Sequence, residues 1–290
     1  MTDTGKALGL GILTLCLNIV LMLTKIVTGI LGNSFALVAD GIESAGDILT
    51  SLISWGGFQL SLRPPDEKHP FGHGKIESLA GMFSGFALMG AALLIAGHSL
   101  REMGRPQAGP EWFTLPVLAV VILTKEYLHR RVAALSGSLD SRALEGDAWH
   151  HRSDAVTSAA TGVGICIAMA GGPEFWVADE WAALVASVII LFNGLHILNR
   201  SLHETLDGRV KDSYLDQLQE AAGEVEDVQD IETCRARKSG TGYFVELHVE
   251  VDGELSVAEG HEIGHRVKSE LLERFPEVMD VVVHVEPARD

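Results

Sequence analysis

The sequence predicts an α-helical polytopic membrane protein with six transmembrane helices and a C-terminal cytoplasmic α+β domain. Three observations predict it. The chain of 290 residues joins 47% hydrophobic composition to a formal net charge of −17, and the two properties are segregated along it. Apolar windows of about 20 residues, the length that crosses hydrocarbon, recur through the first ~200 residues. From residue 204 onward there are 22 acids against 9 bases, a composition suited to water.

The windows fall at 8–31, 35–60, 78–100, 112–129, 155–172 and 176–198. Glycine, serine or a single charge interrupts several of them, as happens where helices face one another as well as lipid. The first is too long for a signal-peptide core and no small-residue cleavage pattern follows it, so it is expected to be retained. Lys and Arg gather in three connections, at Arg63, Lys68 and Lys75, at Arg130, Arg131 and Arg142, and at Arg200, Arg209 and Lys211. With six spans these connections share one side, which the positive-inside rule makes the cytoplasm, together with both termini. The opposite connections are poor in bases apart from Arg101 and Arg105, near "GRPQAGP".

The expected domains are 1–206, six helices, and 207–290, a cytoplasmic domain that follows without a long linker. In the tail, "SYLDQLQEAAGEV" has a helical period, "VQDIETCRARKSG" and "TGYFVELHVEVDG" read as strands, "SVAEGHEIGHRVKSELLERF" is a helix and "VMDVVVHVEP" a strand. The order αββαβ predicts a small open-faced sheet with helices on one side. Val245, Leu247, Val249 and Val251 share one face of their strand, leaving Glu246, His248 and Glu250 on the other.

Some functions are excluded early. Cys16, Cys166 and Cys234 lie far apart and form no CxxC, so neither a disulfide framework nor a thiolate metal site is indicated. The acidic balance argues against nucleic acid. The HExxH pattern of a zincin occurs once, at His261-Glu262-Ile263-Gly264-His265, in the acidic tail and far in sequence from the acids of the apolar windows.

Three acids, Asp40, Glu43 and Asp47, stand inside the second apolar window, where each ionised group is expensive and functional by default. Glu43 and Asp47 are four apart and share a helix face. His150 and Asp154 repeat that spacing near the fifth window. Two helices that each offer such a pair can enclose a cation with three carboxylates and one imidazole, a four-ligand set of the kind zinc takes. Asp40, His151 and Asp147 are expected to be supporting or water-facing groups. The imidazole favours zinc, iron or cobalt over a purely oxygen-ligated site. Because such ligands bind metal only when deprotonated, metal and protons are expected to exchange.

These pairs, with "RPPDEKHPFGHGK" after the second window and the αββαβ tail ending in "HVEP", resemble the cation diffusion facilitators, the bacterial zinc and iron efflux proteins in particular. The resemblance covers nearly the whole chain. It implies a homodimer in the lipid of a bacterial inner membrane that exports a divalent cation, Zn2+ first and Fe2+, Mn2+, Co2+ or Cd2+ as alternatives, in exchange for protons by alternating access. It puts the transport site on Glu43, Asp47, His150 and Asp154, with Glu43 where the family usually has Asp or His. It implies a second metal site at Asp66, His69 and His73, and an ion pair of Lys75 with Asp207. A cytoplasmic binuclear metal site at His248, His261, His284 and Glu286 is also implied, with Glu232 where the family often has His. A membrane metallo-hydrolase on the same cluster is the competing class, and it lacks a general base beside a free coordination position. A sensor that has lost transport would need a broken membrane site. The expectation is a transporter, not an enzyme.

Overall fold

The computed structural model describes residues 3–103, 109–139 and 142–288, with side chains described outside 3–11, 54, 58, 135–139 and 142–147. Arg105 and the side chains of Arg142 and Asp147 therefore lie outside the described residues. The chain divides into two compact units, Met1–Leu52 with Phe83–Ile197, and Ile53–Met82 with Leu198–Asp290.

Six long helices correspond to the six apolar windows: α1 (Asp3–Leu31), α2 (Phe35–Ser61), α3 (Lys75–Glu102), α4 (Thr114–Leu139), α5 (Arg142–Gly171) and α6 (Val177–Thr205). Each has 26 to 30 residues, more than the ~20 that span hydrocarbon. Among the described residues four segments are also apolar enough to cross a membrane: Ile12–Leu31, Lys75–Glu102, Ala148–Gly171 and Pro173–Thr205. The other two helices, α2 and α4, each carry several charges. Asp40, Glu43 and Asp47 sit on α2, and Lys125, Glu126, Arg130 and Arg131 on α4.

In the first unit the buried contacts are made by Leu37, Leu88, Ile95, Leu118, Ile165 and Ile190 with small residues such as Ala36, Ala39 and Ala183 between them. Small residues let helices approach closely where hydrophobicity alone does not drive them together. Large side chains point outward instead, with Leu94 78% and Phe192 68% exposed, as a lipid-facing surface requires. The start of α2 is capped from a distance. Ser34 Oγ donates to Asp179 Oδ1 at 2.7 Å, while Phe35 N and Ala36 N donate to Asp179 Oδ2 at 2.6 and 3.0 Å. Thus a buried carboxylate of α6 takes up orphan amides of a helix N-terminus, where the helix dipole favours negative charge.

Lys25 is another buried charge with a structural role. Its Nζ lies 3.0 Å from Asp40 Oδ2 and donates to Ser44 Oγ at 3.1 Å and Ser158 Oγ at 2.9 Å. Ser158 in turn donates to Asp40 Oδ2 at 2.9 Å. One polar knot thereby ties α1, α2 and α5 together. Asp40 is 2% exposed and His151 1%, so neither faces water, contrary to one of the expectations for them. For Asp40 the reason is the contact with Lys25 and Ser158 on other helices, which spacing along one helix does not reveal.

In the second unit, α7 (Asp212–Gly223), β1 (Asp230–Ser239), β2 (Gly242–Val251), α8 (Val257–Arg274) and β3 (Val278–Pro287) follow the expected αββαβ order. The sheet order is β1-β2-β3, with β1 and β2 antiparallel and β2 and β3 parallel across α8. Gly240 takes φ 61 in the tight β1–β2 turn, a conformation that costs glycine little. Ser256 and Glu259 form a reciprocal capping box that starts α8. Leu218, Ala221, Val245, Leu247, Val249, Val251, Ile263, Val267 and Leu271 make the core, so helices cover the face on which the alternating valines lie.

Removing one partner of a buried ion pair costs roughly 3–5 kcal/mol, because the other charge stays behind uncompensated. Lys25→Met is therefore expected to lower the denaturation midpoint of the purified protein in detergent strongly. Adding Asp40→Asn to it should recover at least half of the loss. A Lys25→Met protein as stable as the parent would show that the knot carries no stability.

Candidate metal sites

The membrane cluster is built by α2 and α5. Helical spacing puts Glu43 and Asp47 one turn apart on α2 and His150 and Asp154 one turn apart on α5. His150 Nε2 lies 3.9 Å from Asp47 Oδ2 and 3.7 Å from Asp154 Oδ2, and one ligand atom from each of the three residues falls within 4.8 Å of the others. A tetrahedral ion with bonds of 2.0–2.2 Å holds its ligand atoms about 3.4 Å apart, so this trio needs only a slight contraction. Glu43 is not within that trio. It lines the same cavity of about 470 Å³ as Asp47 and His150, one turn before Asp47 on α2. Asn193 and His196 of α6 line it too, and the sequence analysis named neither.

Sequence reasoning also missed Lys125. Its Nζ donates to Asp154 Oδ2 at 2.6 Å and to Asn18 Oδ1 at 2.9 Å, and its side chain is 3% exposed. The three carboxylates therefore do not stand alone, since Asp154 already carries a lysine on one of its oxygens. Among the described residues no Lys or Arg forms an ion pair with Glu43 or Asp47. The only signal in the sequence was a lysine inside an apolar window, which does not announce its partner.

The loop cluster lies in the non-helical stretch between α2 and α3. His69 Nδ1 is 3.2 Å from Asp66 Oδ1, His73 Nε2 is 3.6 Å from Asp66 Oδ2, and the two imidazole centroids are 4.4 Å apart. The backbone amides of Lys68 and His69 donate to Asp66 Oδ1 at 2.8 and 2.7 Å, so Asp66 organises its own turn. The His69 amide, then the Lys68 amide and the His69 ring, hold the Asp66 carboxyl below the usual range. His73 Nδ1 is buried without a hydrogen-bond partner.

In the tail, Glu232, His248 and Glu286 come together. His248 Nδ1 is 3.1 Å from Glu286 Oε1 and 3.7 Å from Glu232 Oε2. The His284 ring stands 5.0 Å from that of His248, its register partner across β2 and β3. His261 does not join this group. Its ring meets that of His265 edge-on at 4.5 Å, and it lines a cavity of about 430 Å³ with Ser256 and with Glu286, which also contacts His248. Its helix covers the apolar face of the sheet, whereas His248 and His284 project from the polar face. Cys234 packs against the apolar core instead, and burial pushes its thiol up to about 11.

Lys75 and Asp207 meet at 2.5 Å. Lys75 also donates to the Glu204 carbonyl at 2.6 Å, and Arg237 of β1 donates to the other oxygen of Asp207 at 3.2 Å. The Arg237 guanidinium lies over Phe71 at 5.5 Å and over Phe244 at 5.6 Å, a paired cation–π contact. Asp207 thus links the start of α3, the end of α6 and the sheet of the second unit. It adopts φ 55, which Asp and Asn tolerate better than most residues.

The family model described as the cation efflux transmembrane domain matches residues 11–204, and that of the cation efflux protein cytoplasmic domain matches residues 210–288. The manganese efflux system protein MneP of Bacillus subtilis is 26% identical over 280 residues, which cover 95% of this chain and 94% of that one. The magnetosome protein MamB of Paramagnetospirillum magneticum is 28% identical over 272 residues, 93% of this chain and 91% of its own. A solved structure of MamM-CTD aligns with 27% of this chain and 98% of its own at 25% identity and a TM-score of 0.26.

The hydrogen bond from Lys75, with Arg237 beside it, holds the Asp207 carboxyl below its ordinary value. A depressed folded-state pKa stabilises the fold above the unfolded value of about 3.9 and is lost as pH falls through the folded one. Asp207→Asn, which keeps the backbone conformation accessible, should lower the melting temperature at pH 7. The gap to the parent should close as the pH drops below about 4. A gap independent of pH would assign the effect to something other than the carboxylate.

Proposed function

The chain belongs to the cation efflux family, whose two domain models match it at residues 11–204 and 210–288, and from that premise we propose that it exports a divalent transition metal in exchange for protons. The observation that carries this reading is the α2–α5 cluster of Asp47, His150 and Asp154, with Glu43 lining the same cavity. Its donors, carboxylates and an imidazole, are those of a divalent-metal site.

Zinc is the cargo we favour. One imidazole among carboxylates suits zinc, iron or cobalt. Manganese is a second reading, favoured by three carboxylates to one imidazole and by the likeness to a protein named for manganese efflux. Glu43, one methylene longer than Asp, is the position we assign to that choice. The chemistry of the ligands supplies the exchange. Carboxylate and imidazole hold metal only when deprotonated, so loading metal releases protons and protonation ejects it. We further propose six membrane spans with both termini in the cytoplasm of a bacterial cell, working as a homodimer. The loop cluster of Asp66, His69 and His73 and the tail cluster of Glu232, His248, His284 and Glu286 are proposed as further metal sites, and His261 is left out of the latter. A hydrolase is disfavoured by the same ligand set, which contains no separate general base.

Two measurements check this. Asp47→Ala or Asp154→Ala should reduce pH-driven zinc and manganese uptake into proteoliposomes to background while the protein elutes as the parent does. Near-normal flux in either would sink the membrane site. For the tail, a ligand that binds only the folded pair stabilises it by mass action, about 2.7 kcal/mol at a hundredfold excess over Kd. Zinc should therefore raise the melting temperature and the dimer fraction of the full-length protein relative to chelator. His248→Ala should blunt both responses, and an undiminished response would remove His248 from the site.

A further inference from the structure

Resting on the reading of Asp154 as a ligand of the transported metal, we propose that Lys125 is a tethered counter-cation that occupies Asp154 in the metal-free site. Incoming metal must displace it onto Asn18. The competition is over one atom. Asp154 Oδ2 accepts from Lys125 Nζ at 2.6 Å, and it is the same oxygen that stands 3.7 Å from His150 Nε2 and so belongs to the metal cluster. An ammonium and a dication on one carboxylate oxygen repel each other, and the low polarity around a 3% exposed lysine weakens screening.

The lysine cannot simply withdraw to water. It is buried, and an unpaired buried charge is costly, so it needs another acceptor close by. Asn18 Oδ1, already 2.9 Å from Nζ, is that acceptor. Being neutral, it holds the ammonium less tightly than Asp154 does, so the lysine returns when the metal leaves. The three residues come from α1, α4 and α5, and α4 packs against both of the others, which keeps the movement short. Two consequences follow for transport. Metal binding is weaker than the donor set alone would make it, which speeds release. The emptied site also needs one proton fewer, because Lys125 supplies that positive charge itself.

The test compares the KM and the maximal rate of zinc and manganese uptake into proteoliposomes for Lys125→Met, Lys125→Arg and Asn18→Leu. Lys125→Met removes the competitor, so KM should fall about tenfold or more and the maximal rate should fall with it, as release becomes slow. Asn18→Leu removes the alternative acceptor, so KM should rise several-fold. Lys125→Arg should restore parental values to within a few-fold. A merely structural lysine would move KM in the same direction in the first and third of these variants, or leave it unchanged, and either result overturns the proposal. If Lys125→Met does not fold, the rise in Asn18→Leu and the rescue in Lys125→Arg still decide it. Parental KM and rate in Asp154→Asn would overturn the ligand assignment itself, and the Lys125 proposal with it.

Discussion

A charge placed among apolar helices must find an opposite charge or a set of dipoles, and the first unit is organised around that need. Lys25 answers Asp40, Lys125 answers Asp154, and Asp179 answers the amides that open α2. Each pairing joins different helices, so the helices cannot rotate or slide without exposing a charge. Packing alone would hold them less firmly, since small residues rather than large ones fill the contacts.

What these pairings leave over lines one cavity of the first unit. Glu43 and Asp47 have no Lys or Arg partner among the described residues, yet they line a space with His150 at its edge. Surplus negative charge in such a place calls for a cation from outside, and a metal or a proton can supply it. The same helix therefore carries a lysine-paired carboxylate at Asp40 and, seven residues on, Asp47, which forms no ion pair with Lys or Arg among the described residues. The difference lies only in whether a lysine from another helix reaches the carboxylate.

On the polar side the constraint changes. Asp207, Lys75 and Arg237 are partly exposed, so their individual Coulomb energies are small. Their value is geometric. A carboxylate shared by a lysine at a helix start and an arginine on a strand, with that arginine lying over two aromatic rings that themselves touch edge-on, ties the end of α6 to the sheet. In the tail itself the division of labour is between faces of one sheet, apolar beneath the helices and rich in His and Glu on the other side.

Periodicity carried most of what was legible. Residues four apart on a helix share a face, so Glu43 with Asp47 and His150 with Asp154 were readable as pairs before any helix was placed. The strand period of two likewise separated Val245, Leu247, Val249 and Val251 from His248, and the αββαβ order followed from the alternation of the two periods. Local rules of this kind act within one element, which is why the sequence by itself determined the elements and the faces. Contacts between elements obey no such spacing. That Lys125 reaches Asp154, that Lys25 reaches Asp40, that Asp179 caps a helix far away in the chain and that His261 stands apart from His248 were decided only by the tertiary structure. The physical reason is that the partner of a buried charge is set by which helix packs alongside, and that is a property of the assembled bundle.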